Sequence, residues 1–286
     1  MKRIIITFVS CFVLCSSVWA DTSVWKVSDN GKELFLGGTC HVLRRSDFPL
    51  PNEFDQAYAR SELIVFETDI DKSNSPETQQ KMISRMIYRD GTSLKDHLSP
   101  STYDRLNKSC EEAGIPLTSL NNFKPVMVML TLLIVELKKL GIMEEGVDRR
   151  YYQKSRQDNK PTFILETIDE QIDFIASMGE GNEDDFVRHS LDELNRTKEI
   201  FEQLIRFWKQ GDSEDLDRLF IEPTKRDFPE IYRTVLKARN DIWLPKIEAY
   251  LMTKEIEFVL VGFAHLVGED GIVEQLKRRG YRVEKL

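Results

Sequence analysis

The feature that most constrains this chain is a pattern that occurs twice, once near each end. In residues 33–41 and again in residues 257–265, an apolar, strand-like run is followed by Gly-x-x-His. Glycine allows the backbone to turn sharply off a strand, and α/β proteins keep ligands and chemistry just past the ends of their strands. The chain has only 4 histidines, and His41 and His265 occupy these matched places. The repeated pattern therefore predicts a sheet with two imidazoles at one edge.

The N-terminus is typical of a secretory signal peptide. Lys2-Arg3 precedes an apolar stretch that is too short to span a membrane, and Val18-Trp19-Ala20 matches a cleavage site. We expect cleavage after Ala20 and a secreted or periplasmic protein, with no stable membrane insertion once the leader is removed. Residues 21–286 are long enough to form a single domain with a sizeable core.

The net charge bears on the partners of the protein, and the cysteine content bears on its disulfides. The net charge is −8, which argues against nucleic acid or anionic lipid as the main partner. Cys40 and Cys110 remain after the leader. An oxidising compartment permits a disulfide between them, but two cysteines do not decide the pairing.

The order of predicted elements indicates an α/β (α+β) fold. Residues 24–27 and 33–38 read as strands joined by a tight turn at Asn30-Gly31. Continuous apolar runs at 63–66 and 161–165 predict two buried strands, and residues 182–210 predict one long amphipathic helix. We expect a central mixed β-sheet surrounded by helices, with a large helical insertion between the two halves that carry Gly-x-x-His.

Four of the predicted strands end in a residue suited to catalysis: His41, Glu67, Glu166 and His265. If these strands run parallel, their carboxyl ends meet at one edge of the sheet. Histidines with a carboxylate bind zinc, manganese or a related divalent ion. Without a metal, a histidine–glutamate pair can activate water as a general base. The alternative for both glutamates is a solvated charge at the end of a strand.

Taken together, these residues resemble the TraB/GumN family, which is related to the Tiki proteins and to the wider erythromycin esterase/ChaN-like superfamily. The resemblance covers nearly the whole mature chain, and its last motif is the longest and most specific. The matching segments are Gly38-Thr39-Cys40-His41, Pro49-Leu50-Pro51, Val65-Phe66-Glu67, Gly146-Val147-Asp148, Leu165-Glu166-Thr167 with Gln171, Arg239-Asn240, and the run from Val261 to Gly271.

The resemblance implies a sheet core with both histidines and Glu67 at the site. It also implies that Arg239 and Asn240 face that site, whereas the residues alone would place them on a solvated helix face. Tiki-type members are metal-dependent proteases, which implies His41, Glu67 and His265 around a divalent ion. Esterase-type members use a histidine-activated water, ChaN-type members bind haem, and TraB-type members act in pheromone shutdown.

Our leading hypothesis is a metal-dependent hydrolase that acts on peptide bonds. Glu166 or Glu67 would accept the proton of the water, while Arg239 and Asn240 would stabilise the oxyanion. A second hypothesis is an esterase-like hydrolase without metal, in which His41 is the base and Glu67 orients it. A third is a binding protein for haem, a small ligand or a peptide signal, without turnover. The substrate, a peptide or a small molecule, and the oligomeric state stay open.

Overall fold

The computed structural model describes residues 22–142 and 144–286, and the expected signal peptide lies outside the described residues. Eight strands occur within this part of the chain. They are β1 (Val24–Asp29), β2 (Lys32–Thr39), β3 (Val42–Leu43), β4 (Leu63–Phe66), β5 (Glu144–Glu145), β6 (Thr162–Ile164), β7 (Glu257–Gly262) and β8 (Arg282–Lys285).

Six of these strands form one mixed sheet in the order β6-β4-β7-β2-β1-β8. The predicted hairpin is confirmed: β1 and β2 pair antiparallel, and both Asn30 and Gly31 have positive φ angles of 47° and 82°. Such a pair of left-handed residues forms the tight turn that matches the twist of two strands. The remaining two strands, β3 and β5, pair with each other.

Strands β6, β4, β7 and β2 run parallel to one another. Their carboxyl ends therefore lie at the same edge of the sheet, as the sequence predicted. The central strands β4 and β7 are buried at almost every position, since helices cover both faces of a parallel sheet.

Helices make up most of the remaining described residues and surround the sheet, so the α/β class is confirmed. They are α1 (Asn52–Arg60), α2 (Pro76–Arg85), α3 (Leu94–His97), α4 (Pro100–Glu112), α5 (Pro125–Lys139), α6 (Val147–Gln157), α7 (Ile168–Ala176), α8 (Glu183–Leu194), α9 (Thr197–Gln210), α10 (Ser213–Leu216), α11 (Glu222–Asp227), α12 (Pro229–Ile231), α13 (Ala238–Tyr250) and α14 (Ile272–Arg278). Between α12 and α13 the chain continues as a π-helical segment, Tyr232–Lys237.

Two predictions of local structure were wrong. The expected long helix over residues 182–210 is interrupted between α8 and α9, where the Asn195 amide donates to the carbonyl of Leu191 and the Thr197 hydroxyl donates to the carbonyl of Leu194. Such side-chain bonds compete with the helical backbone. The strand at Thr162–Ile164 is exposed rather than buried, because it is the edge of the sheet and only β4 lies beside it.

The buried apolar residues in the described part of the chain form two clusters. The larger one surrounds the sheet and includes Phe35, Phe258 and Trp243. The smaller one lies among α2 to α5, α7 and α8. Cys40 and Cys110 are both buried and both free thiols. No helix in residues 22–142 and 144–286 has the length and apolar character needed to cross a bilayer.

Candidate functional site

The four residues predicted at strand ends come together. Glu67 directly follows β4, Glu166 lies two residues beyond β6, and His265 ends a short 3-10 turn after β7. These three are buried, whereas the His41 side chain beyond β2 keeps 63% of its surface exposed.

Gly262 marks the point where these groups face one another. A Cβ atom placed on this glycine would lie 3.2 Å from Oε1 of Glu67, 3.5 Å from Nε2 of His41 and 3.6 Å from Cδ2 of His265. The missing side chain thus leaves a small space that is bordered by a carboxylate and two imidazoles.

Arg239 lies in the first turn of α13 and binds the three buried side chains of the site, Glu67, Glu166 and His265. Its Nε and Nη2 donate to the two carboxylate oxygens of Glu166 at 3.1 and 2.7 Å, and Nη2 also donates to Glu67 Oε2 at 2.8 Å. Nη1 donates to His265 Nε2 at 3.1 Å and to the Val235 carbonyl at 3.3 Å. All five N–H groups of the guanidinium therefore have an acceptor.

The pKa values of Glu67 and Glu166 shift in opposite directions. Burial favours the neutral form of Glu67, but electrostatic interactions with His265, Arg239 and His41 hold its pKa well below the usual range. The Gly262 N–H, which donates to Oε1 at 2.6 Å, lowers the pKa further. Burial raises the pKa of Glu166, and the bonds from Arg239 counteract part of this shift. Glu67 is therefore ionised at neutral pH and bound on both of its oxygens.

His265 is held in one tautomer. The Asn240 side-chain N–H groups donate to the carbonyls of His265 and Asp270 at 3.1 and 2.9 Å, so its amide oxygen must accept from Nδ1 of His265 at 2.7 Å. Nε2 then carries the lone pair that accepts from Arg239. Burial lowers the pKa of His265 to about 3, and the ring packs at 4.5 Å from that of Trp243.

His41 has a different partner, Asp148, whose Oδ2 lies 2.9 Å from Nδ1 of the imidazole. The negative charge of Asp148 raises the pKa of His41. With Nδ1 bonded to the carboxylate, Nε2 faces the space beside Gly262. His41 and Asp148 thus form an acid–base dyad at the solvent-facing side of the site.

Asp148 is the functional residue that the sequence reasoning missed. It lies in the first turn of α6, which β3 and β5 bring beside His41. The Gly146 N–H donates to the His41 carbonyl at 3.1 Å, and a Cβ on Gly146 would lie only 2.1 Å from the carbonyl oxygen of Cys40. The Gly-Val-Asp motif was the available signal, since this close approach requires glycine.

Several predicted roles differ from the contacts in the structure. Asn240 has used both of its side-chain donors on backbone carbonyls, so it positions His265 and has none left for an oxyanion. Glu67 contacts Gly262, Arg239 and, at 3.4 Å, Gln171. The expected orientation of His41 by Glu67 is therefore supplied by Asp148 instead.

The two other histidines lie away from this cluster. His97 stacks on Tyr88 with ring centroids 4.2 Å apart, and His189 contacts the edge of Phe228 at 4.7 Å. Both are half-buried among side chains.

The residues as arranged do not fit the expected ion between His41, Glu67 and His265. A shared ion requires a free lone pair from each ligand at one point. Arg239 donates to Nε2 of His265, whose one lone pair is therefore not available to an ion. Within the part of the chain that the structure describes, no three His, Cys, Asp or Glu side chains are placed to hold a metal ion together.

The fold and this cluster define an α/β protein with a histidine–glutamate–arginine site at the carboxyl ends of parallel strands. The chain belongs to the TraB/PrgY/gumN family, whose profile matches residues 23–285. The family resemblance predicted from the motifs is thereby confirmed.

The relatives that share this similarity are distant. Uncharacterized protein YbaP of Escherichia coli (strain K12) is 22% identical over 86% of this chain and 88% of its own length. Uncharacterized protein YbaP of Shigella flexneri is 23% identical over 85% and 87%. Metalloprotease TIKI1 of Homo sapiens is 23% identical over 91% of this chain and 61% of that protein. No solved structure matches the chain significantly.

Proposed function

We propose that this protein is a hydrolase that cleaves peptide bonds with a water molecule activated at the strand-end site. The observation that carries the proposal is the His41–Asp148 dyad, in which Nε2 of His41 borders the space beside Gly262. A carboxylate that binds the other ring nitrogen fixes the tautomer of a general base and stabilises the imidazolium that forms. The peptide class is supported by the distant relative named Metalloprotease TIKI1.

In this proposal neutral His41 takes a proton from the water through Nε2, and the water oxygen attacks the carbonyl carbon of the substrate. The His41 imidazolium then returns the proton to the leaving amine. The ionised Glu67 carboxylate faces the same space and favours the imidazolium by its negative charge. Both carboxylates are bound to Arg239, so the role of base, first assigned to Glu67 or Glu166, passes to His41.

The test is turnover of fluorescein-labelled casein by residues 21–286 and by single variants. We expect His41→Ala to reduce the rate by about 10²- to 10⁴-fold, the usual contribution of a general base. His189→Ala is the matched control, because His189 lies outside the site and contacts Phe228. Equal rates for His41→Ala and the wild type would contradict the proposal, as would a folded wild type that cleaves neither casein nor short peptides and esters.

A metal-dependent peptidase is the second candidate. It is favoured by the tautomers of the two imidazoles, since ligand histidines commonly donate Nδ1–H to an oxygen acceptor and both His41 and His265 do so. Binding a zinc or manganese ion would require Arg239 to release Nε2 of His265. Elemental analysis after metal loading and gel filtration decides between the candidates. About one ion per chain, lost in the His41→Ala/His265→Ala double variant, supports the metal, and no retained ion supports the dyad acting alone.

A further inference from the structure

Strand β6 presents an open edge next to the site. It is the last strand of the sheet, and β4 is its single hydrogen-bonded neighbour within the described residues. All three of its residues are exposed, including Phe163 at 48% and Ile164 at 43%. Folded proteins normally cover or charge such an apolar edge, because its unpaired backbone groups attract another strand.

The register shows which backbone groups face outward. The Pro161 carbonyl accepts from the Ile64 N–H at 3.0 Å, and the Leu165 N–H donates to the Phe66 carbonyl at 2.9 Å. Successive residues of a strand direct their backbone groups to alternate sides. The N–H and C=O groups of Thr162 and Ile164 consequently point away from β4, and within residues 22–142 and 144–286 they have no protein hydrogen-bond partner.

The edge leads directly into the site. After β6 the chain continues through Leu165 to Glu166, whose carboxylate binds Arg239. Across the carboxyl edge of the sheet, the residues that follow β6, β4, β7 and β2 are Glu166, Glu67, His265 and His41. A strand added beside β6 would stand four strand spacings from β2, or about 19 Å, which about six extended residues cross.

We propose that β6 is the substrate-docking edge, where an unfolded peptide segment binds as an added strand. Its backbone pairs with Thr162 and Ile164, and its side chains pack on Phe163 and Ile164, a recognition mode known as strand addition. From the docked segment the peptide reaches the exposed His41 after about six residues. This inference rests on the proposed peptidase function and names its substrate class as extended, unfolded chains.

One substitution removes an outward hydrogen-bond donor of β6 and leaves the pairing of β6 with β4 in place. Ile164→Pro removes an N–H that faces away from β4, so the β4 pairing loses no donor, and Ile164→Val keeps that N–H as the matched control. The probe is a fluorescein-labelled heptapeptide of alternating valine and lysine, and binding is followed by fluorescence anisotropy in a His41→Ala background. We expect the Kd to rise at least tenfold in Ile164→Pro and much less in Ile164→Val, which keeps the N–H and loses only one methylene of the apolar contact. Equal affinities of the two variants would overturn the proposal.

A second measurement does not depend on the folding of the proline variant. In the full chain carrying only His41→Ala, the peptide should slow amide hydrogen exchange at Thr162 and Ile164, the two outward donors. Peptide binding without slower exchange at these amides overturns the docking edge. A concentration-dependent dimer that Ile164→Pro abolishes also overturns it, because the occupant is then a second copy of the chain.

The outcomes also separate this inference from the proposed function. Protection of both amides in a protein that cleaves no peptide leaves the docking edge intact and rejects the hydrolase. Casein cleavage with an unchanged KM in Ile164→Pro rejects the docking edge and leaves the hydrolase intact.

Discussion

The two Gly-x-x-His turns have the same sequence pattern and opposite electrostatics. His41 is largely exposed and bonded to a carboxylate, which raises its pKa. His265 is buried between an amide and a guanidinium, and its pKa falls to about 3. One ring is therefore charged over much of the neutral pH range while the other is a neutral acceptor.

The difference comes from the helices that contact each ring and not from the motif. Helix α6 places the Asp148 carboxylate beside His41, whereas α13 places the Asn240 amide and the Arg239 guanidinium beside His265. A short motif at the end of a strand thus delivers an imidazole, and tertiary contacts then decide its protonation.

Removal of Arg239 tests the contacts around the buried His265 turn. Arg239→Met leaves Glu67 and Glu166 buried without a cation, and breaking a buried ion pair from one side costs about 3–5 kcal/mol. We expect a loss of this size in the free energy of unfolding, measured by urea titration. Arg233→Met is the control, since Arg233 binds Glu230 on the surface and should change stability by less than about 1 kcal/mol. Similar losses in both variants would show that the buried network is not a distinct stabilising unit.

Gly38 and Gly262, which begin the two Gly-x-x-His turns, also have different surroundings. Both were expected to permit a sharp backbone turn, but neither has a positive φ, so each is needed for space. A Cβ on Gly38 would lie 2.8 Å from the Phe263 ring, whereas one on Gly262 would face the site. Gly38→Ala should cost about 1–3 kcal/mol of stability through overpacking.

The variant Gly262→Ala should instead remain folded and lose casein turnover, because its methyl group fills the space beside Nε2 of His41 and Oε1 of Glu67, where we place the attacking water. Thermal melting and turnover are measured on both variants. Full activity in a stable Gly262→Ala protein would place the reacting water elsewhere.

Histidine titration by NMR is the finest test of the comparison. The His41 ring should titrate above its ordinary value near 6.5, because Asp148 stabilises its charged form. Asp148→Asn should lower that pKa by about one unit, equal to about 1.4 kcal/mol. As His41 must be neutral to act as base, hydrolysis should rise with pH through its pKa, and the variant should reach its plateau at lower pH.

The ring of His265 should remain neutral throughout the pH range from 5 to 9. A His265 signal that shifts within that range, or a His41 pKa unaffected by Asp148→Asn, would remove the contrast between the two turns.

Sequence periodicity was sufficient for the sheet and for the residues at its edge. Buried apolar runs and a left-handed Asn-Gly turn are local signals, and parallel pairing then brings His41, Glu67, Glu166 and His265 to one edge. The exposure of β6 could not be predicted in the same way, because an apolar run does not reveal whether its strand lies inside a sheet or at its edge.

The hydrogen bonds within the site could not be predicted from the sequence patterns either. A mid-helix arginine is by default a solvated residue, and the resemblance placed Arg239 at the site without its contacts. That four of its five N–H groups bind both carboxylates and His265 depends on how α13 packs over the strand ends. The pairing of Asp148 with His41 depends likewise on the short β3–β5 ladder.

The place of β7 in the sheet has a consequence for how the chain is made. This strand lies between β2 and β4, yet it is synthesised after both and after nearly all of the helices. Until residue 262 has left the ribosome, β2 and β4 lack the strand that joins them, and such long-range pairing is slow to form. Nascent chains that end between residues 67 and 264 contain His41 and Glu67 but lack His265, so the centre is not assembled. The order of synthesis therefore delays the chemistry of the site until almost the whole polypeptide exists.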